Sequence, residues 1–214
     1  MPYELNVNYD GNKKLVNNGD VRFMIWNLPS RKTCPYATGN CWIYCYAHKA
    51  KIVYPDCLPC RERNFQESLK DDFVENMIFT IEKKLNGRAY RGKLTLFRIH
   101  ESGDFYNQAY VDKWMEIIRH FRNVKNLVFM AYTKSLPYFE KYDVKKYKNL
   151  AFVASVWDDT KPEMMEIIER RGYRIYTAVD SFENWDGTKC DCQDCANCQK
   201  CYKNRYKRIA CKIH

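Results

Sequence analysis

The sequence predicts an α/β domain: a parallel sheet or partial (βα) barrel of about five or six strands, carrying a cysteine-rich C-terminal appendage. Three observations predict it. Apolar runs of strand length alternate with helix-period segments from residue 21 to residue 179. That alternation stops after Asp186-Gly187, where a cysteine-dense stretch begins. The chain has 214 residues, enough for one sizeable core with an addition but short of a closed eight-stranded barrel. The expected division is therefore a βα unit over 1–186 and a metal-binding tail over 187–214, packed on it.

Val21 to Leu28 reads as the first strand and leads into TCPYATGNCWIYCYA. Phe65, Leu69, Phe73, Met77, Ile81 and Leu85 then recur every four residues, closed by Asn86-Gly87, which predicts one amphipathic helix. Lys93 to Ile99 is a buried strand, followed by a helix with Tyr110, Trp114, Ile117, Ile118 and Phe121 on one face. Asn126 to Tyr132 is the next strand, a polar and aromatic helix is expected near 136–147, and Asn149 to Ser155 is a strand again. A helix over 161–171 starts near Pro162 and ends at Gly172, before the strand Tyr173 to Val179. Right-handed crossovers wind such a series into a parallel sheet, and ligands gather where its strands end. Those ends carry the cysteine loop, Glu101-Ser102-Gly103-Asp104, Thr133-Lys134-Ser135, Ser155 and Asp180-Ser181.

A hydrophobic fraction of 46% and an aromatic fraction of 15% exclude a disordered chain. With no signal-peptide core and no apolar run of bilayer length, the expected location is cytoplasmic, with no membrane partner. Thiols stay reduced there, so 11 clustered Cys point to metal or catalysis rather than to disulfides. The formal charge of +10 suits a nucleic acid or nucleotide partner, and the end segment KNRYKRIACKIH holds five basic residues and no acid. A plain solubilising surface accounts for the same excess.

Cys34, Cys41 and Cys45 have the spacing C-x6-C-x3-C, unlike a zinc-finger knuckle, and three thiolates leave one metal position open. In the tail, Cys190, Cys192, Cys195, Cys198 and Cys201 follow C-x-C-x2-C-x2-C-x2-C, close to ferredoxin ligation. A [4Fe-4S] cluster is favoured there, with zinc as the alternative. Cys195, Cys198 and Cys201 are expected ligands, Cys190 or Cys192 a fourth, and Cys211 and His214 stay open. Cys57-Leu-Pro-Cys60 is a C-x2-C pair with no assigned role.

A three-cysteine loop after strand one, followed by a βα series, resembles the radical S-adenosylmethionine superfamily and its partial TIM barrel, although that superfamily usually spaces its cysteines C-x3-C-x2-C. The segments TCPYATGNCWIYCYA, RIHESGDFYNQAYVDKW and AYTKS, with the terminal C-x2-C-x2-CY, resemble the phage gene product eighty-eight family over nearly the whole chain. The first resemblance implies an open-site [4Fe-4S] cluster on Cys34, Cys41 and Cys45, an auxiliary cluster in the tail, an electron donor and S-adenosylmethionine as cofactor. It places Ser102, Gly103 and Asp104 at the motif that holds the cofactor's ammonium, with Arg98 or Lys134 toward its carboxylate and Ser155 toward ribose. Asp104 also reads as an N-cap for a helix starting near Phe105, and Arg98 and Lys134 as surface ion pairs. The rival function is a metal-stabilised nucleic-acid-binding module of phage or mobile-element origin without catalysis.

Overall fold

The computed structural model describes residues 1–8, 14–191 and 193–213. The first strand, β1 (Val21–Trp26), is followed by four helices: α1 (Gly39–Ile43), α2 (Tyr46–Val53), α3 (Cys57–Leu69) and α4 (Phe73–Asn86). Next come β2 (Leu94–Ile99), α5 (Gln108–His120), β3 (Leu127–Thr133), β4 (Leu150–Val156), α6 (Pro162–Arg171) and β5 (Ile175–Val179). The chain ends with β6 (Thr188–Lys189), α7 (Cys195–Cys198) and β7 (Arg208–Lys212). All seven strands are parallel, in the order β1-β2-β3-β4-β5-β7-β6, and the sheet is open, with β1 and β6 at its free edges.

Two strands more than the repeating pattern suggested come from the tail. Residues 187–214, expected as an appendage, feed β6 and β7 into the same sheet. Strand starts are staggered: Leu94 lies opposite Val21, Leu127 opposite Thr95, Leu150 opposite Phe129 and Ile175 opposite Ala154. Such stagger tilts strands as in a barrel wall, but here the edges do not meet.

Side-chain alternation gives the sheet two unlike faces. Met24, Trp26, Phe97, Phe129 and Phe152 point to the main core with α4, α5 and α6. Phe23, Ile25, Leu96, Met130 and Val153 point the other way, where Leu15 and the tail residues Cys195, Ala196, Cys201 and Tyr202 cover them. Helices on one face follow from strands laid down in one direction with crossovers of one hand. From β6 to β7 the chain steps back toward β5, and the same hand then carries the cysteine crossover over the opposite face.

Three expected elements differ. The helix through 65–85 is two, broken at Lys70, whose ψ of 150° is extended. A strict four-residue spacing drifts about 40° per step around a helix of 3.6 residues per turn, so one straight helix cannot keep all six side chains inward. The break resets the phase, and Lys113 Nζ donates to the freed carbonyls of Ser68 and Lys70 at 3.0 and 2.7 Å. The helix near 136–147 is two 3₁₀ turns, Leu136–Phe139 and Val144–Lys146, because only Leu136, Phe139 and Val144 are buried there and no longer stripe exists. Strand one stops at Trp26, since Asn27 Oδ1 instead accepts from Glu101 N and Ser102 N at 2.7 and 3.0 Å.

His100 ends β2's path in a left-handed conformation, φ +61°, buried, with Nε2 2.9 Å from Tyr110 Oη. Burial first, then Arg98, lowers its pKa from 6.5 to about 3. Between those values the unfolded chain binds a proton that the folded chain refuses, so stability is present above pH 6.5 and is lost as pH falls toward 3. The unfolding free energy measured by denaturant from about pH 7 to pH 4 should fall by up to roughly 1.4 kcal/mol per pH unit from this group. His100→Asn, which tolerates the left-handed backbone, should flatten that slope; parallel slopes for both proteins would refute the assignment.

Candidate metal and cofactor site

The cysteine loop is more ordered than a connecting loop need be. Cys34 sits in a turn, its N–H bonded to Arg31 O at 3.3 Å. Cys41 lies in α1, where Thr38 Oγ1 accepts its N–H at 3.3 Å as an N-cap. Cys45 is the N-cap residue of α2, accepting from His48 N and Lys49 N through its carbonyl. Asp159 Oδ2 accepts from Asn40 N at 2.8 Å, and Tyr44 stacks on Trp157 with 5.7 Å between centroids, pinning the loop to the segment after β4. Short helices in an apolar, aromatic stretch lack room for a readable period, which is why the sequence does not reveal α1 and α2.

Cys34, Cys41 and Cys45 lie within electrostatic reach of one another, Asp104 acts on Cys34 and Cys41, and Lys134 reaches Cys41. Burial is the main force on Cys34 and Cys41. It pushes Cys34 up to about 12, with the Asp104 carboxylate adding to it, and raises Cys41, against which Lys134 pulls down.

Asp104 is a buried brace. Its Oδ1 accepts from Thr133 Oγ1 at 2.6 Å and Phe105 N at 2.7 Å, and its Oδ2 accepts from Lys134 N at 2.9 Å, tying the ends of β2 and β3 together. Burial raises its pKa while those three donors oppose the rise. The N-cap reading fails, because α5 begins at Gln108 and Asn107 caps it. Gly103 has φ +82°, and an added Cβ would stand 2.6 Å from Thr33 Oγ1 and 2.7 Å from Leu28 Cβ. Ser102 Oγ donates to Leu28 O at 2.8 Å. Ser102 and Gly103 thus face β1's continuation.

Lys134 Nζ donates to Ser155 Oγ at 2.8 Å, and both residues line a cavity of about 340 Å³ with Tyr36, Thr38, Asp159 and Met164. Arg98 lies elsewhere. Strand parity turns it to the inner face, where its guanidinium stacks 3.9 Å from the centroid of Tyr132 and its Nε donates to His100 O at 3.1 Å. From there its charge acts on Cys195 and Cys201 of the tail. Its expected surface ion pair is not what the fold provides.

The tail thiols form a second group on that face. The Cys201 thiol donates to Cys190, holding Cys190 down at about 5 while Cys201 is held up. Cys195 lies within reach of Cys190, Cys198 and Lys14, and burial pushes it up to about 11. Cys211, on β7, hydrogen-bonds Tyr176 and feels the charge of Cys190. Tyr132, Tyr176 and Tyr202 wall the group together with Cys201. Arg174 Nη2 donates to Cys201 O at 3.0 Å. Cys192 and His214 lie outside the described residues. Cys57 and Cys60 stand on the first turn of α3, where Cys60 Sγ accepts from Asn6 Nδ2 at 3.3 Å. Among the described residues no three His, Cys, Asp or Glu side chains converge tightly enough to hold a single metal ion.

Residues 5–211 match the family described as Gene product 88. The chain belongs to that family. It is 29% identical over 160 residues to the Gene 88 protein of Mycobacterium phage D29 and 30% identical over 161 residues to the Gene 88 protein of Mycobacterium phage L5. Each match spans 72% of this chain and 65% of the relative. No solved structure matches. Among the described residues no helix is long and apolar enough to cross a membrane.

Gly103→Ala should lower stability by roughly 2 kcal/mol or more, since it combines a strained φ with a clash against buried groups; an unchanged thermal midpoint would refute the tight approach. In metal-free protein near pH 7, iodoacetamide should alkylate Cys190 at least about tenfold faster than Cys34, as read by peptide mass spectrometry, because only the first is a ready thiolate. Cys34 labelling first would overturn the electrostatic picture.

Proposed function

We propose that this protein is an iron–sulfur protein of radical S-adenosylmethionine-like design. Cys34, Cys41 and Cys45 hold an open-site [4Fe-4S] cluster; Cys195, Cys198, Cys201 and Cys190 or Cys192 hold an auxiliary one, with Cys211 a further candidate. The carrying observation is proximity: Cys34, Cys41 and Cys45 act on one another's charge, Lys134 reaches Cys41, and Lys134 and Ser155 line a cavity of about 340 Å³ where β3 and β4 end. The staggered, one-directional winding of β1 to β5 supports a partial-barrel arrangement for such chemistry.

The donor set fits a cluster better than one ion in the N-terminal loop. Zinc draws its ligands to about 2.3 Å from one centre, whereas a cubane spreads each thiolate onto a different iron, as suits thiols that interact without converging. When bound, such a cluster supplies an electron and one vacant coordination position. The chain's own residues do the rest. Lys134 faces the anionic site and the cavity, where it offers its ammonium to a carboxylate, and Ser155 offers a hydroxyl beside it. Asp104 keeps the two loops at fixed distance and presents negative potential toward a cationic cofactor. Arg98, stacked on Tyr132, offsets thiolate charge in the tail. Substitution of zinc in the tail is a second reading, favoured by the hydrogen-bonded contact of Cys190 with Cys201, which is close enough for two ligands of one ion.

Anaerobically purified protein should contain iron and acid-labile sulfide, and Cys41→Ala and Cys198→Ala should each remove about half of the iron. S-adenosylmethionine should change the electron paramagnetic resonance spectrum of the reduced wild type and of Cys198→Ala, but not of Cys41→Ala. Zinc without sulfide, after cluster reconstitution has been attempted, would sink the reading.

A further inference from the structure

Five stretches of the chain share one composition: RAYRGK at 88–93, RHFRNVK at 119–125, KKYK at 145–148, RRGYR at 170–174 and KNRYKR at 203–208. These 28 residues hold sixteen of the 36 Lys and Arg residues and none of the 26 Asp and Glu. Each leads into a strand, β2, β3, β4, β5 and β7 in turn. Because every pairing is parallel, all five arrive at the same edge of the sheet, the end where strands begin and opposite the cysteine loop.

Structural duties explain part of this charge. Tyr90, Phe121, Tyr147 and Tyr173 turn inward and close the bottom of the core. Arg91 donates to Asn86 O, Arg170 pairs with Glu140, Arg208 with Asp186, and Arg174 is buried against tail carbonyls. Cations in the last turns of α5 and α6 complement the negative helix ends. Those duties leave Arg88, Arg122, Lys125, Lys148 and Lys207, all exposed, beyond the last helical turns, and without an ion pair among the described residues. A cleft of about 470 Å³ opens at Arg122 and Lys148, lined also by Arg119, Lys141 and Lys146, with Asp143 as its one acid.

We propose that this edge binds nucleic acid through its phosphate backbone. A band of cations with few acids between them neutralises successive phosphates and releases their counterions, and such backbone contacts carry no sequence information. Binding is therefore salt-sensitive and nearly indifferent to sequence. It requires no metal and stands whether or not the cysteines hold clusters.

Fluorescence anisotropy with a labelled random-sequence DNA duplex of about 30 base pairs, from about 50 to 300 mM KCl, tests it on the full chain. Affinity should fall linearly on logarithmic axes. Arg122→Glu/Lys148→Glu should weaken binding at least about tenfold and shallow the slope by about 0.9 per lost contact. Arg88→Gln/Lys207→Gln, at two other stretches, should act in the same direction. Lys49→Glu/Arg63→Glu, exposed on α2 and α3, makes the same charge change as the first pair and should act far less. No binding at the lowest salt would overturn the proposal, as would equal weakening by the α2–α3 pair. So would equally tight binding, through the same residues, to phosphatidylcholine vesicles containing phosphatidylserine.

Discussion

The direction of winding governs this protein. Strands β1 to β5 are added in one direction, each crossover returns on the same side, and every large helix therefore packs on one face. The other face is left as a wall of Phe23, Ile25, Leu96, Met130 and Val153 that must be covered. Stepping back between β6 and β7 supplies the cover, because a crossover of the same hand made in reverse lies on the opposite side. The cover is the cysteine-dense segment. Thus the tail thiols are placed by the handedness of parallel sheets, with Tyr132, Tyr176 and Arg98 waiting beneath them on strands laid down long before.

Charge follows from that layout. The inner face would be a costly place for the Arg98 guanidinium if the tail brought only apolar groups, and the tail would be a costly place for thiolates without cations nearby. Each justifies the other. Where the strands end the balance differs: burial raises the thiols of Cys34 and Cys41, Asp104 adds to the rise at both, and Lys134 opposes it at Cys41. A metal or cluster entering there works against burial at both thiols, whereas in the tail the hydrogen bond from Cys201 lowers the Cys190 thiol. The two groups differ in their electrostatic surroundings although both are cysteine-rich in sequence.

The two ends of the sheet also divide labour. Strand ends gather polar residues around a cavity, and strand starts gather cations with few acids. The first is the common property of parallel sheets, whose βα loops carry ligands. The second exceeds what helix dipoles ask for, since much of the charge lies beyond the helices.

What the sequence determined by itself were local matters: strands β1 to β5, which are short apolar runs; helices α5 and α6, with a clear face and an end signal at Gly172; and the metal-like spacing of the cysteines. The 65–85 segment read as one helix and is two, because no straight helix keeps a period of four on one side. The tertiary structure alone decided matters of face and edge. Asp104, Ser102 and Gly103 read as one motif, yet the fold aims the carboxylate at Thr133 and Lys134 and packs the glycine against Leu28 and Thr33. Arg98 and Lys134 read alike, yet strand parity sends one to the tail and the other to the cavity. Five basic stretches spread over more than a hundred residues become one band only because all strands run the same way. Side-chain direction and strand order are set by packing between distant segments, and no local pattern of residues carries that information.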